Sequence, residues 1–372
     1  MSTANYSPGL EGIVAGETAV STLEGGLRYR GYLIEELAEH AMFEEVAHLL
    51  LHGELPNASQ LKEFRARLVA GSHVPTEIID TLRKIPASAS TMDVMRTGTS
   101  LLAHWDPDAG DNSHAANVRK AERLVAQLPV ILAARARLVS GKEPVPPDAH
   151  RTWSANLLWM LQRLEPDPRW VKAMDVSAVL YAEHEFNAST FTARVVASTL
   201  SDLHSCITAA IGALKGPLHG GANERVLEVL QQVGKSELAE AWVRDALAKK
   251  VRIMGFGHRV YKDHDPRAAL ILRFCQELAE ASGNLEMEKI ADTIERVVKT
   301  EKKLPPNVDW PSARLYYYMN LPVNLYTPLF VISRVTGWSA HVIEQHDNNR
   351  LIRPDGIYVG VGPRNYVPLE GR

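Results

Sequence analysis

The sequence predicts a mostly α-helical protein with a small β element at its N-terminus, and three observations carry that expectation. Gly9, Gly12, Gly16, Gly25 and Gly26 punctuate the first 30 residues among Val, Thr and Ile, a texture of short strands and turns. From Gly31 onward, apolar residues recur at helical spacing. Strict apolar–polar alternation is rare after residue 30, which gives no support to βαβ units.

The first helical patterns are Leu33, Ile34, Leu37 and Ala38, then Phe43, Val46, Ala47 and Leu50, stopped by Gly53 and Pro56. Ser59 is the expected cap of the next helix, whose apolar face is Leu61, Phe64, Leu68 and Val69. The polar segment 106–117 reads as a loop. Further helical runs are expected at 121–139, 170–185, 192–214, 237–248, 268–281 and 285–300. Breaks at 216–217 and 320–322 flank the segment where glycine-flanked histidines concentrate.

Composition narrows the function. The 372 residues are 45% hydrophobic and 23% charged, enough for a real core and against disorder. The net charge of −3 opposes a bulk nucleic-acid binder. No stretch reaches the roughly 18 apolar residues of a membrane span. Residues 1–12 lack the basic and apolar regions of a secretory signal. Cys206 and Cys275 sit in no metal or disulfide pattern and read as free thiols of a reducing, cytoplasmic compartment.

Five segments combine Gly, polar side chains and turn chemistry. In Lys215-Gly-Pro-Leu-His219-Gly-Gly-Ala-Asn223, the Pro and Gly pair force a turn, so His219 is expected at a helix N-terminus as a neutral imidazole. A capping turn with an incidental histidine is the alternative. Met254-Gly-Phe-Gly-His258 is followed by Arg259, Lys262 and Arg267, a loop suited to phosphate or carboxylate; a solvated basic turn is the alternative. Its Gly-Phe-Gly fragment lacks the third glycine of a dinucleotide fingerprint. Tyr181-Ala-Glu-His184-Glu-Phe-Asn187 reads equally as a site or as a plain helix junction capped by Asn187, Ser189 or Thr190. After Pro305-Pro306, Asp309 beside Trp310 is either a partly desolvated base or an N-cap. Arg267, Arg334 and Arg353 are candidate carboxylate clamps. His48 and His52 have the i, i+4 spacing of zinc ligands, but the run His-Leu-Leu-Leu-His lacks the glutamate of that motif.

Together and in order, from Gly9-Leu-Glu-Gly-Ile-Val-Ala to Arg350-Leu-Ile-Arg-Pro-Asp-Gly-Ile-Tyr-Val-Gly, these segments resemble the citrate synthase family. The similarity is to its short bacterial and archaeal type, which includes 2-methylcitrate synthases; the stretch from Glu183 to Thr192 has the flavour of the latter. The resemblance implies a two-domain helical fold and a homodimer. The large domain would be 1–215 plus 322–372, and the small one 216–321. It further implies condensation of acetyl-CoA with oxaloacetate through an enol or enolate, then hydrolysis of the CoA adduct. Propionyl-CoA is the alternative acyl donor, and a non-catalytic CoA- or dicarboxylate-binding dimer the alternative of another class. By resemblance, His219 donates to the thioester carbonyl, Asp309 removes the methyl proton and His258 protonates the ketone. His184, Arg267, Arg334 and, from the partner subunit, Arg353 bind oxaloacetate. Met254, Gly255, Phe256, Gly257 and Lys262 meet CoA. No metal and no permanently bound cofactor is expected, and neither nucleic acid nor membrane is a partner. The short lead before Gly9 implies no added allosteric N-terminal domain.

Overall fold

A computed structural model gives the fold and describes residues 6–258, 261 and 263–372. The glycine-rich start folds into three two-residue strands, β1 (Ser21–Thr22), β2 (Arg28–Tyr29) and β3 (Tyr32–Leu33). They pair antiparallel in that order, with Ser21 opposite Tyr29 and Tyr29 opposite Tyr32. Most of the chain from there to Asp347 is helical, and 348–372 is a largely extended tail. The first eight helices are α1 (Ile34–His40), α2 (Phe43–His52), α3 (Ala58–Gly71), α4 (Thr76–Lys84), α5 (Thr91–Leu102), α6 (His114–Val139), α7 (Trp153–Gln162) and α8 (Pro168–Tyr181). Then come α9 (Ala188–Ala197), α10 (Leu203–Leu214), α11 (Ala222–Val233), α12 (Ser236–Ala248), α13 (Pro266–Ser282), α14 (Leu285–Lys302), α15 (Asp309–Tyr318) and α16 (Tyr326–Asp347). Among the described residues no helix is long and apolar enough to cross a membrane.

Helices α6 and α16 form the centre and pack on each other and on most of their neighbours, including α2, α5 and α10. Both are buried on nearly every face, and the charged groups this buries in α6 have partners: Arg135 donates to the Ile85 and Pro86 carbonyls and Arg137 to the Glu143 carbonyl. Pro129 lies inside α6 and has no N–H to give the carbonyl of Val125. The indole N–H of Trp153, at the start of α7, donates to that carbonyl at 3.0 Å, so the break in the ladder is satisfied. At the other end of the chain α11 to α15 pack mainly among themselves, joined to the rest through α13 on α8 and α1 and through α11 on α16.

Several boundaries differ from expectation for local reasons. Asn57, not Ser59, caps α3. Its Oδ1 accepts from Gln60 N at 3.0 Å while the Gln60 side chain accepts from Asn57 N at 2.9 Å. Ser59 is already inside the helix. Helix α6 begins at His114, inside the expected loop, because Ser113 caps it and Arg119 and Arg123 reach back to Asp106 and Asp108. The run 192–214 is two helices. Leu200 takes a positive φ of 63° and Asp202 caps α10 by accepting from Ser205 N. Helix α8 stops at Tyr181, short of residue 185, and Glu185 turns the chain with φ 53°.

Gly337 lets α16 lie directly against the chain after α8. Its N–H donates to the Ala182 carbonyl at 3.1 Å. A Cβ built there would stand 2.2 Å from Glu183 Oε2 and 2.3 Å from the Ala182 oxygen. Gly337→Ala should therefore cost about 1–3 kcal/mol of stability and displace residues 182–184. A melting temperature and activity both equal to the parent protein's would refute this close approach.

Candidate active site

The N-terminal sheet and α16 fix the turn that carries His184. The Tyr29 hydroxyl donates to the Glu183 carbonyl at 2.8 Å, and the Ser21 hydroxyl to Glu183 Oε1 at 2.9 Å. His341 Nδ1 accepts from Arg194 Nε, so its proton sits on Nε2 and is donated to Glu183 Oε1 at 2.9 Å. Burial pushes the Glu183 carboxyl up, but His341 and Arg334 outweigh it and hold the group below the usual range. His184 is buried beside this carboxylate. Its Nε2 lies 3.1 Å from the Tyr261 hydroxyl and its ring 5.2 Å from the His258 ring. Burial, then the charges of Arg267 and Arg334, hold His184 well below the ordinary histidine range, so it is neutral. Asn187 closes the turn by capping α9 at Thr190 N.

His219 lies in the turn before α11, yet the helix end it meets belongs to α9. Its Nε2 accepts from the backbone N–H of Ser189, the second residue of α9, at 3.2 Å, and stands 2.8 Å from the Ser189 hydroxyl. A backbone N–H can only donate, so Nε2 is unprotonated and the ring proton is on Nδ1. Trp338 Nε1 donates to the same hydroxyl at 3.1 Å and locks it. Burial, with a contribution from Arg334, lowers His219 to about 4.

His258 and Asp309 sit on two loops laced into one unit. Gly257 N donates to Pro305 O at 2.8 Å, Asn307 N to Gly255 O at 2.9 Å, and the Asn307 amide to Gly257 O at 2.9 Å. Gly255 has φ 87°, and a Cβ there would meet Val226 at 2.8 Å and Trp310 at 2.9 Å, so only glycine fits. His258 Nδ1 accepts from Tyr261 N at 3.3 Å, which leaves the ring proton for Nε2. Asp309 opens α15. Its N–H donates to Asn307 Oδ1 at 3.0 Å and its Oδ1 accepts from the Tyr181 hydroxyl at 3.0 Å. Burial raises its proton affinity, with Asp265 adding to the rise; the Tyr181 bond, Arg267 and Arg334 oppose it, and burial wins.

Two of the three arginines join this cluster. Arg334 is buried in α16, with Nε donating to the Tyr181 carbonyl at 2.6 Å and its guanidinium 4.5 Å from the centre of the Phe330 ring. Arg267, buried in the first turn of α13, forks onto Asp265 at 3.0 and 2.9 Å. Arg353 stands apart. It is on the extended tail 348–372, 75% exposed and paired with Asp355. Met254, Phe256 and Gly257 are half-buried around Gly255, and Lys262 lies outside the described residues. His48 and His52 are engaged elsewhere, on the Glu54 carbonyl and on Glu122.

Tyr181, Tyr261 and Asp265 touch the candidate residues with no role expected from the sequence, and Ser189, expected only as a possible helix cap, holds His219 instead. All four lie inside or beside the segments already singled out, so proximity along the chain was the available signal. The arrangement offers a half-buried carboxylate with raised proton affinity, two histidines each with one N–H fixed, and two buried guanidinium groups.

The family profile described as "Citrate synthase, C-terminal domain" matches residues 9–355. The chain is 46% identical over 366 residues to "Citrate synthase 2" of Bacillus subtilis, covering 98% of each. It is 45% identical over 368 residues to a "2-methylcitrate synthase" of Shewanella oneidensis, covering 98% of this chain and 97% of that one. Among solved structures, the citrate synthase of Pyrobaculum aerophilum superposes with a TM-score of 0.91 at 38% identity, covering 98% of this chain and 94% of that one. A citrate synthase of Thermoplasma acidophilum, in ternary complex with carboxymethyl coenzyme A and oxaloacetate, gives a TM-score of 0.93 at 32% identity, covering 98% and 99%.

Proposed function

We propose, from the premise that the chain belongs to the citrate synthase family, that it condenses acetyl-CoA with oxaloacetate to give citrate and CoA. The observation that carries this reading is the fixed tautomer of His219. A thioester α-proton is far too weakly acidic for a carboxylate alone, so the forming enol oxygen needs a donor at once. His219 is neutral and holds its proton on Nδ1, as that donor requires.

The steps follow from the groups present. Asp309 takes a proton from the acetyl methyl while His219 Nδ1–H bonds the thioester oxygen. The enol carbon attacks the ketone of oxaloacetate, whose oxygen takes the Nε2 proton of His258. Water then cleaves the thioester of the adduct, releasing citrate and CoA thiol. Arg267, Arg334 and neutral His184 bind the oxaloacetate carboxylates and carbonyl. Met254, Gly255, Phe256 and Gly257, with Lys262, line the CoA side. None of these steps calls on a metal.

The subunits work in pairs, and Arg353 serves the other subunit's site. The tail around it supports that reading: Ile357, Tyr358 and Val359 are 61%, 77% and 90% exposed, an apolar strip suited to cover by a second copy. Residues 216–321 form the small domain that closes on 1–215 plus 322–372 once oxaloacetate is bound. The two cysteines, both buried and unpaired, fit a cytoplasmic setting.

Propionyl-CoA is the second acyl donor to weigh, because relatives of both names match almost equally. One methylene in a pocket is worth only about 1–3 kcal/mol. Steady-state CoA release with oxaloacetate and each thioester tests both readings. Higher kcat/KM for acetyl-CoA is expected. A propionyl preference would make the chain a 2-methylcitrate synthase, and no release with either would sink the proposal.

A further inference from the structure

We infer that Asp265 is a positioning residue that ties the carboxylate-binding Arg267 to the base Asp309. The inference rests on the reaction proposed above and adds a coupling between its first substrate and its proton acceptor.

Asp265 is 3% exposed, and its carboxylate accepts four hydrogen bonds. Oδ1 takes Arg267 N at 3.1 Å and Arg267 Nε at 3.0 Å. Oδ2 takes Arg267 Nη2 at 2.9 Å and, 43 residues along the chain, Val308 N at 3.1 Å. Val308 immediately precedes Asp309. A helix cap needs one oxygen on one or two N–H groups of its own first turn. Here the second oxygen crosses to another loop, the one that presents the base. Arg267 is therefore held on one side by Asp265, with Nη1 outside the fork. A substrate carboxylate on that guanidinium pulls on Asp265, and Asp265 pulls on the peptide that aims Asp309. A displacement of about 1 Å in such a group is enough to cost on the order of 10²-fold in rate.

The same carboxylate acts on the base through its charge. Among the described residues, the titratable and charged groups acting on Asp309 include Tyr181 from α8, Asp265 and Arg267 from the start of α13, Tyr316 further along α15, and Arg334 from α16. Asp265 is the anion among them and raises the proton affinity of Asp309, after burial. Geometry and charge can be separated by two substitutions. Asp265→Asn removes the charge and keeps the shape. Asp265→Glu keeps the charge and shifts the carboxylate by one methylene.

The experiment measures kcat, oxaloacetate KM and the pH profile of kcat for the parent protein and both variants, with melting temperatures alongside. Both variants are expected to lose about 10- to 100-fold in kcat. In Asp265→Asn the acid limb of the profile should move to lower pH, because Asp309 then loses its proton more easily; in Asp265→Glu it should stay. A rise in oxaloacetate KM with kcat unchanged would reduce Asp265 to a counterion of Arg267 and overturn the inference. Loss of melting temperature in both variants, with no shift of the acid limb in Asp265→Asn, would reduce it to a cap of α13 and overturn it too. An inactive parent protein sinks the reaction itself, whereas an active parent with unaffected variants sinks only the coupling.

Discussion

Asp309→Asn is expected to lower turnover by roughly 10²- to 10⁴-fold while leaving oxaloacetate binding within a few-fold. The amide has the carboxylate's shape, and the Tyr181 hydroxyl that donates to Oδ1 at 3.0 Å keeps an acceptor. What disappears is the basic oxygen. Arg267, Arg334 and His184 are untouched, so the first substrate still has its partners. Calorimetric titration with oxaloacetate and stopped-flow CoA release separate the two effects. Turnover close to the parent value would remove Asp309 from the role of base. Loss of oxaloacetate binding would instead make it a structural anchor of the cleft.

Arg353→Ala should raise the oxaloacetate KM by roughly 30- to 5,000-fold. Truncating one member of a buried ion pair costs about 2–5 kcal/mol, and the exposed Arg353 of a lone chain becomes buried only if it enters a partner's cleft. The decisive form of the experiment mixes subunits. In a heterodimer of Asp309→Asn and Arg353→Ala chains, an arginine acting across the interface leaves one site with every residue intact and one with both defects. Activity should then recover towards half that of the parent dimer. If each Arg353 serves its own subunit, both sites stay defective and mixing restores nothing.

Much of this was legible in the residues, and the failures have local causes. The histidines, Asp309 and Arg267 stand out because Gly and Pro mark the turns around them, whereas Arg334, inside α16, stands out only as a planar cation suited to a carboxylate. The N-terminus behind His219 was anticipated, but it is that of α9, 30 residues back, and no pattern along one segment reports which helix end a ring will reach. Ser59 was read as a cap when Asn57, two residues earlier, closes a reciprocal pair with Gln60. The run 192–214 kept its apolar spacing across the break at 198–202, because both helices bury the same kind of face. Tyr181 and Asp265 were out of reach for a deeper reason. Tyr181 looks like an ordinary helix residue at the end of α8 and Asp265 like an ordinary cap before α13, and each gains its meaning only from a contact made across the fold with Asp309 or Val308.

Convergence of two imidazoles and a carboxylate around the forming bond between the acetyl methyl carbon and the ketone is best tested by a crystal structure of the protein with oxaloacetate and a non-hydrolysable thioether analogue of acetyl-CoA. The expected density puts the ketone oxygen about 3 Å from His258 Nε2 and the analogue's carbonyl oxygen about 3 Å from His219 Nδ1. Asp309 should face the carbon between them. Ligands bound with Asp309 turned away from that carbon, or with His219 bonded through a protonated Nε2, would contradict it.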